Sequence, residues 1–178
     1  MLPIVIVDDD SDDLFLFERV LRRCKLLNPI QQFQNGIDCV KYFREQSESA
    51  CLIFLDLQSP TNGIEVLRTL KGLGIPARIP IVLLSGVRHI TTIQEGLELG
   101  AQTFFVKPVN REDVIRLLSD LPGIQIDEKP GGYSIRRMST GEKRPGAQIF
   151  ALPQDLKPSP SNLLAITEKS RPRLPENV

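Results

Sequence analysis

The chain has 178 residues, and its 22 lysines and arginines are balanced by 22 aspartates and glutamates. That length can bury a sizeable core, so one domain plus a remainder is expected. The formal net charge of zero excludes the broad basic excess that is typical of nucleic-acid-binding proteins.

The three cysteines, Cys24, Cys39 and Cys51, have no metal-ligand spacing. An odd number of cysteines fits a reducing compartment better than a disulfide framework, so we expect three buried thiols. No apolar run reaches the roughly 18 to 20 residues of a membrane span, and the first residues lack the pattern of a signal peptide. These features together predict a cytoplasmic protein.

Short apolar runs alternate with segments of helical periodicity along the first 121 residues. The helical segments carry apolar residues at three- and four-residue steps, as at Leu14, Phe17 and Leu21. The apolar runs are continuous, which is typical of a parallel sheet that is covered by helices on both faces. The predicted strands are residues 4–7, 30–33, 52–55, 81–84 and 104–106. Five strand–helix units, and hence a doubly wound α/β fold, are predicted.

The composition of the chain changes after Leu121. Eight of the 14 prolines and five of the 12 glycines fall within residues 122–178, and no periodicity lasts there. Such a segment has too little apolar surface to offset the entropy lost on ordering. The sequence therefore predicts one domain over residues 1–121, able to fold alone, and a flexible Pro/Gly-rich tail over 122–178 without a recognisable effector domain.

Polar residues follow the predicted strands where each strand ends. Asp8 and Asp9 follow the first strand, Asp56 the third, Ser85 the fourth and Lys107 the fifth. Ligands of open parallel sheets bind beyond the carboxyl ends of the strands. Clustered carboxylates raise one another's pKa unless a cation is present, so this group favours a hard divalent ion, Mg²⁺ above all. One carboxylate could then attack phosphorus while the metal, the ammonium and the hydroxyl neutralise the phosphoryl oxygens.

Each of these residues also has an ordinary structural interpretation. Asp12 and Asp13, within the run DDDSDD, are interpreted as helix caps and dipole partners. A single aspartate, serine or lysine after a strand is common in turns. The joint occurrence of all these residue types on strands one, three, four and five is what favours a site.

Residues 1–121 resemble the receiver domain of two-component response regulators, through the strand-end residues above and the stretch FLDLQSP around Asp56. The resemblance implies a five-stranded sheet of strand order 2-1-3-4-5. It also implies phosphorylation of Asp56 and Mg²⁺ bound by Asp8, Asp9, Asp56 and the backbone carbonyl of Gln58. In the family pattern, Asp9 binds the metal directly and Asp8 mostly through water.

The resemblance further implies how a phosphoryl group would be sensed. Ser85 matches the serine or threonine that bonds the phosphoryl group, Lys107 matches the family's lysine, and Phe104 matches the aromatic switch position. A tight turn is implied at Lys107–Pro108, where we expect a cis peptide bond. The implied protein is a phosphoprotein of a phosphorelay and not an enzyme, although slow hydrolysis of its aspartyl phosphate is expected.

The implied partners are a sensor histidine kinase and a downstream protein, with no nucleic acid and no membrane, and a homodimer is left open. The stretch VDDDSDDLFLFERVLRR followed by NPI resembles, more narrowly, stand-alone receivers that partner bacterial phytochrome-type histidine kinases. The loop between Pro60 and Gly63 is one residue shorter than is usual in the family.

Two other functions remain open from the sequence. One is a phosphate-independent scaffold or adaptor with the receiver fold. The other is a hydrolase that forms an aspartyl phosphate, but that chemistry places a second aspartate two residues after the nucleophile, where this chain has Gln58.

Overall fold

The computed structural model describes residues 1–58, 62–86 and 90–138. Within these ranges five strands alternate with five helices, and two more strands follow. The strands are β1 (Ile4–Val7), β2 (Ile30–Phe33), β3 (Leu52–Asp56), β4 (Ile81–Ser85), β5 (Thr103–Val106), β6 (Ile124–Lys129) and β7 (Gly132–Arg137). The helices are α1 (Ser11–Arg23), α2 (Gly36–Glu45), α3 (Gly63–Gly72), α4 (Ile90–Glu98) and α5 (Arg111–Asp120).

The first five strands form one parallel sheet in the order β2-β1-β3-β4-β5, which confirms the predicted fold. The three central strands are buried along their whole length, whereas the edge strands β2 and β5 are partly exposed. Helices on both faces explain why the central strands are continuously apolar. The strand order reverses between β1 and β3, so a crevice is expected at the carboxyl ends of these two strands.

Two apolar clusters occupy the two faces of the sheet. On one face α1 and α5 pack against the strands, and the rings of Phe17 and Phe54 meet edge to face at 4.7 Å. On the other face α2, α3 and α4 pack through residues such as Leu55, Leu67 and Ile93. Successive strand residues point to opposite faces, so both clusters hold the sheet rigid behind its carboxyl end.

The three cysteines are buried and none forms a disulfide, as predicted. Burial raises the pKa of the Cys39 and Cys51 thiols to about 12. Burial likewise raises the pKa of Cys24 to about 11. These thiols therefore behave as small apolar groups at neutral pH.

Residues 124–137 differ from the sequence-based expectation of a flexible segment. They form an antiparallel hairpin of β6 and β7, and its turn contains Gly131 at a φ of +87°. Ile124 and Ile135 are buried and belong to the cluster on the α1–α5 face. The expectation was wrong here because a two-stranded hairpin is marginal alone and is stabilised by contacts with residues about 100 positions earlier, which no local pattern reveals.

Asn28 connects this hairpin to the sheet. Its side chain is fully buried; its amide oxygen accepts from the Ile135 N–H at 2.7 Å and its amide nitrogen donates to the Ile135 carbonyl at 2.9 Å. The same nitrogen donates to the carbonyl of Leu2 at 2.8 Å. Because Asn28 precedes β2 and Leu2 precedes β1, the hairpin lies at the amino-terminal end of the sheet.

Most of the predicted tail, residues 139–178, lies outside the described residues, and so do residues 59–61 in the shortened loop. Across the described ranges, no helix combines the length and the apolar character that crossing a bilayer requires.

Candidate functional site

Three carboxylates from two adjacent strands converge at the carboxyl end of the sheet. Asp8 and Asp9 directly follow β1, and Asp56 is the last residue of β3. One oxygen of each carboxylate lies within 4.8 Å of the others. The side chains of Asp8 and Asp56 are only 3% and 4% exposed, while Asp9 is exposed. A set of oxygen donors that is buried on one side and open to water on the other suits Mg²⁺, which keeps part of its hydration shell.

Lys107 lies beside this acidic group and contacts two of its members, Asp8 and Asp56, as well as Asp13. Its Nζ is 2.6 Å from Asp8 Oδ2, 2.8 Å from Asp13 Oδ2 and 3.3 Å from Asp56 Oδ2. The peptide bond between Lys107 and Pro108 is cis, as predicted. One ammonium is therefore shared among three carboxylates at the end of the sheet.

The pKa values of Asp8 and Lys107 respond to this arrangement. Burial raises the pKa of Asp8, and hydrogen bonds from Lys107 and from the Asp10 backbone offset that effect only in part. Burial would lower the pKa of Lys107, but hydrogen bonds to Asp13 and Asp8 and the charge of Asp56 outweigh it and raise that pKa. Lys107 is therefore charged at neutral pH.

Ser85 and Gln58 lie next to the acidic group, Ser85 as the last residue of β4 and Gln58 two residues after β3. Ser85 ends β4 and is buried, and its carbonyl accepts from the Lys107 backbone N–H at 2.8 Å. The backbone N–H of Gln58 donates to Asp56 Oδ1 at 3.3 Å, and its side-chain oxygen accepts from the Gly86 N–H at 2.9 Å. Gln58 thus links the segments that follow β3 and β4.

Phe104 lies on β5, three residues before Lys107, and pairs in register with Leu83 of β4. Its side chain is 39% exposed. The ring is therefore partly open to solvent on an edge strand and is not a member of the acidic group.

Helix α3 begins very close to the backbone of Asp56. A Cβ on Gly63 would lie 2.2 Å from the Asp56 carbonyl oxygen and 2.7 Å from the Leu57 Cα, so only glycine fits there. The Asn62 side chain caps the helix by accepting from the Ile64 N–H at 3.2 Å. The start of α3 therefore fixes the backbone that carries the Asp56 carboxylate.

Asp13 belongs to this site, although the sequence analysis assigned it to helix capping only. Its carboxylate binds Lys107, whereas the neighbouring Asp12 is exposed. No sequence signal separates the two residues, because both lie in the first turn of α1 and only the packing of α1 beside the end of β5 brings one of them to the lysine.

Residues 4–119 match the model of the family described as the response regulator receiver domain. The chain is 31% identical over 129 residues to the two-component response regulator ARR17 of Arabidopsis thaliana, which covers 65% of this chain and 82% of that protein. It is 29% identical over 114 residues to ARR14 of the same plant, covering 64% of this chain and 29% of that protein. The chain thus spans less than a third of the length of ARR14.

Two solved structures of bacteriophytochrome response regulators are similar as well. AtBRR is 30% identical with a TM-score of 0.59, covering 68% of this chain and 92% of that one. RtBRR is 29% identical with a TM-score of 0.61, covering 74% of this chain and 87% of that one. The triad of Asp8, Asp9 and Asp56 is typical of the Mg²⁺ site of receivers. The sheet order and the triad beside Lys107 agree with the match over residues 4–119. The chain therefore belongs to the response regulator receiver domain family, the phospho-accepting modules of two-component signalling.

Proposed function

We propose that this chain is a cytoplasmic response regulator that accepts a phosphoryl group from a histidine kinase on Asp56 and signals through a protein contact. The observation that carries the proposal is the placement of Asp56. Its carboxylate is almost fully buried, faces two further carboxylates, and has an ammonium 3.3 Å away. A carboxylate that is held in this way is a nucleophile with one stabilising ammonium in place and with oxygen ligands beside it that could hold a cation.

In this proposal each residue has one task. Asp8, Asp9, Asp56 and the backbone carbonyl of Gln58 would hold Mg²⁺, which when bound supplies positive charge opposite the phosphoryl oxygens. An oxygen of Asp56 forms the new bond to phosphorus as the donor's leaving group departs with its electron pair. The Lys107 ammonium adds a second positive charge opposite the phosphoryl oxygens.

The signal would follow from the charge added at Asp56. The hydroxyl of Ser85 moves toward the phosphoryl oxygens, and Phe104 turns inward into the space that becomes available. The surface formed by β4, β5, α4 and α5 then shifts between two packings, one of which the downstream protein binds. A kinase of phytochrome type is proposed as the donor, because two of the similar structures are bacteriophytochrome response regulators at about 30% identity.

The test is incubation with acetyl phosphate and Mg²⁺, followed by intact mass spectrometry. The wild type should gain one phosphoryl group and Asp56→Asn should gain none. Asp9→Ala should bind no Mg²⁺ and remain unmodified while staying folded, because losing one of several like charges relieves repulsion. Asp12→Asn, a change at an exposed carboxylate of α1, is the matched control and should be modified like the wild type.

Two results would overturn the proposal. A phosphoryl gain by Asp56→Asn would place the acceptor elsewhere. The other result is a wild type that binds Mg²⁺ but is modified neither by acetyl phosphate nor by a histidine kinase. That result would favour a phosphate-independent scaffold.

A further inference from the structure

We propose that Asp13 is a positioning residue for phosphoryl transfer, because its carboxylate holds the Lys107 ammonium from helix α1 so that the remaining donor of that ammonium faces Asp56. This inference rests on the proposed function. It assigns a task to a residue that lies outside the acidic triad.

The hydrogen bonds of Lys107 carry the first step. An ammonium group has three N–H donors. Two of them are given to Asp8 at 2.6 Å and Asp13 at 2.8 Å, while Asp56 lies at 3.3 Å as an ion pair. With two donors fixed by carboxylates on different elements, the third is directed to the oxygen of Asp56 on which the phosphoryl group would form.

A comparison of two helix starts gives independent support. Asp13 and Asp113 are both the third residue of their helix, after the capping residues Asp10 and Asn110. In α5, the Asp113 carboxylate closes a capping box by accepting from the Asn110 N–H.

In α1 the same position is used differently. The Asp10 N–H donates to Asp8 Oδ1 at 3.1 Å, and the Asp13 carboxylate binds Lys107 instead. The N–H of the capping residue, which a third-position carboxylate usually binds, is thus already bound by Asp8. The Asp13 carboxylate is therefore available to Lys107.

Asp13 also suits this task better than Asp8 does. The oxygens of Asp8 belong to the triad and would be shared with a bound cation, so their hold on Lys107 weakens when the site is loaded. Asp13 stands on a helix that is anchored by the buried side chains of Leu14 and Phe17. A flexible lysine side chain loses less entropy in the transfer step if a rigid element already fixes it.

The experiment compares Asp13→Asn with Asp12→Asn. Both variants remove one negative charge from the first turn of α1, but only Asp13 contacts Lys107. The rate of phosphorylation of Asp56 by acetyl phosphate at saturating Mg²⁺ should fall about tenfold in Asp13→Asn, which is about 1.4 kcal/mol in activation free energy. It should stay within about twofold of wild type in Asp12→Asn, and Asp13→Glu should restore part of the loss.

A double-mutant cycle tests whether Asp13 acts through the lysine. In a Lys107→Ala background, the further change Asp13→Asn should alter the rate by less than about twofold, because the group it positions is gone. The Mg²⁺ affinity, measured by calorimetry, should be nearly the same in Asp13→Asn and Asp12→Asn.

A second readout does not depend on phosphorylation. The Lys107 ammonium signal in ¹H–¹⁵N NMR, assigned by its loss in Lys107→Ala, should be sharp in the wild type and in Asp12→Asn. It should broaden by faster exchange with water in Asp13→Asn.

The outcomes separate this inference from the function it rests on. If the wild type is phosphorylated but the two Asn variants slow equally, or if the losses from Asp13→Asn and Lys107→Ala add fully, the inference is wrong and the function stands. If the wild type is not phosphorylated at all, the proposed function fails. An unchanged Lys107 signal in Asp13→Asn would overturn the positioning role in either case.

Discussion

Replacing Asn28 by alanine should destabilise the protein severely without touching the acidic site. The change removes the side chain that pairs with both the N–H and the carbonyl of Ile135. It also removes the shorter of two hydrogen bonds to the Leu2 carbonyl, which keeps a 3.6 Å contact with the Cys51 thiol. Each buried polar group that is left without a partner costs about 1–3 kcal/mol. Since the hairpin can shift to admit water, we expect a total loss of about 3–5 kcal/mol in the free energy of unfolding, or roughly 10–20 °C in Tm for a domain of this size.

The assay is urea unfolding followed by circular dichroism, together with amide hydrogen exchange. Asn110→Ala is the matched control, because it removes an asparagine whose hydrogen bonds are exposed at the start of α5 and should cost about 1 kcal/mol. In Asn28→Ala the amide of Ile135 should lose its protection, while the folded fraction should still accept a phosphoryl group.

The reasoning is refuted if Asn28→Ala costs no more than Asn110→Ala. It is refuted equally if the Ile135 amide stays protected, since the hairpin would then be held by its apolar contacts alone.

Three further outcomes are expected. A chain ending at Leu121 should unfold at a lower urea concentration than one ending at Met138, because it lacks two buried isoleucines that each contribute about 1.5–3 kcal/mol; equal midpoints would show that the hairpin adds nothing. Gly63→Ala should cost more than about 2 kcal/mol and slow phosphorylation, whereas Gly72→Ala in the same helix meets no atom within 4 Å and should be neutral or stabilising; similar effects of the two changes would contradict the close contact. The free energy of unfolding should fall as pH rises above about 9, because the unfolded thiol of Cys39 then loses its proton while the folded thiol keeps it up to a pKa of about 12. In Cys39→Ala that free energy should fall less steeply, by about 1.4 kcal/mol per pH unit. Parallel pH profiles of the two proteins would contradict this.

The sheet could be predicted from the sequence because its signals are local. A central strand such as β1 or β3 is a continuous apolar run, and the residues that end it follow at once in the chain. For the same reason the positions of Asp8, Asp56 and Lys107 at one end of the sheet could be predicted. Adjacent parallel strands bring such residues together whatever the details of packing.

The hairpin and the contact of Asp13 could not be predicted, because both depend on pairs that are distant in the chain. Asn28 and Ile135 are 107 positions apart, and Asp13 and Lys107 are 94 apart. Each residue alone resembles an ordinary turn or cap residue. Only the packed fold decides which asparagine meets a strand and which aspartate meets a lysine.

The position of the hairpin also determines on which side of the domain Met138 lies. Met138 is fixed by its N–H, which donates to the Gly123 carbonyl at 2.9 Å, and both residues lie at the amino-terminal end of the sheet. Asp56 lies at the other end of the five-residue strand β3, whose four residue-to-residue steps span about 13 Å at roughly 3.3 Å per residue. Met138 therefore lies on the side remote from the acidic site, so a fluorophore or surface linker attached at that residue would leave the approach to Asp56 clear for a docking protein.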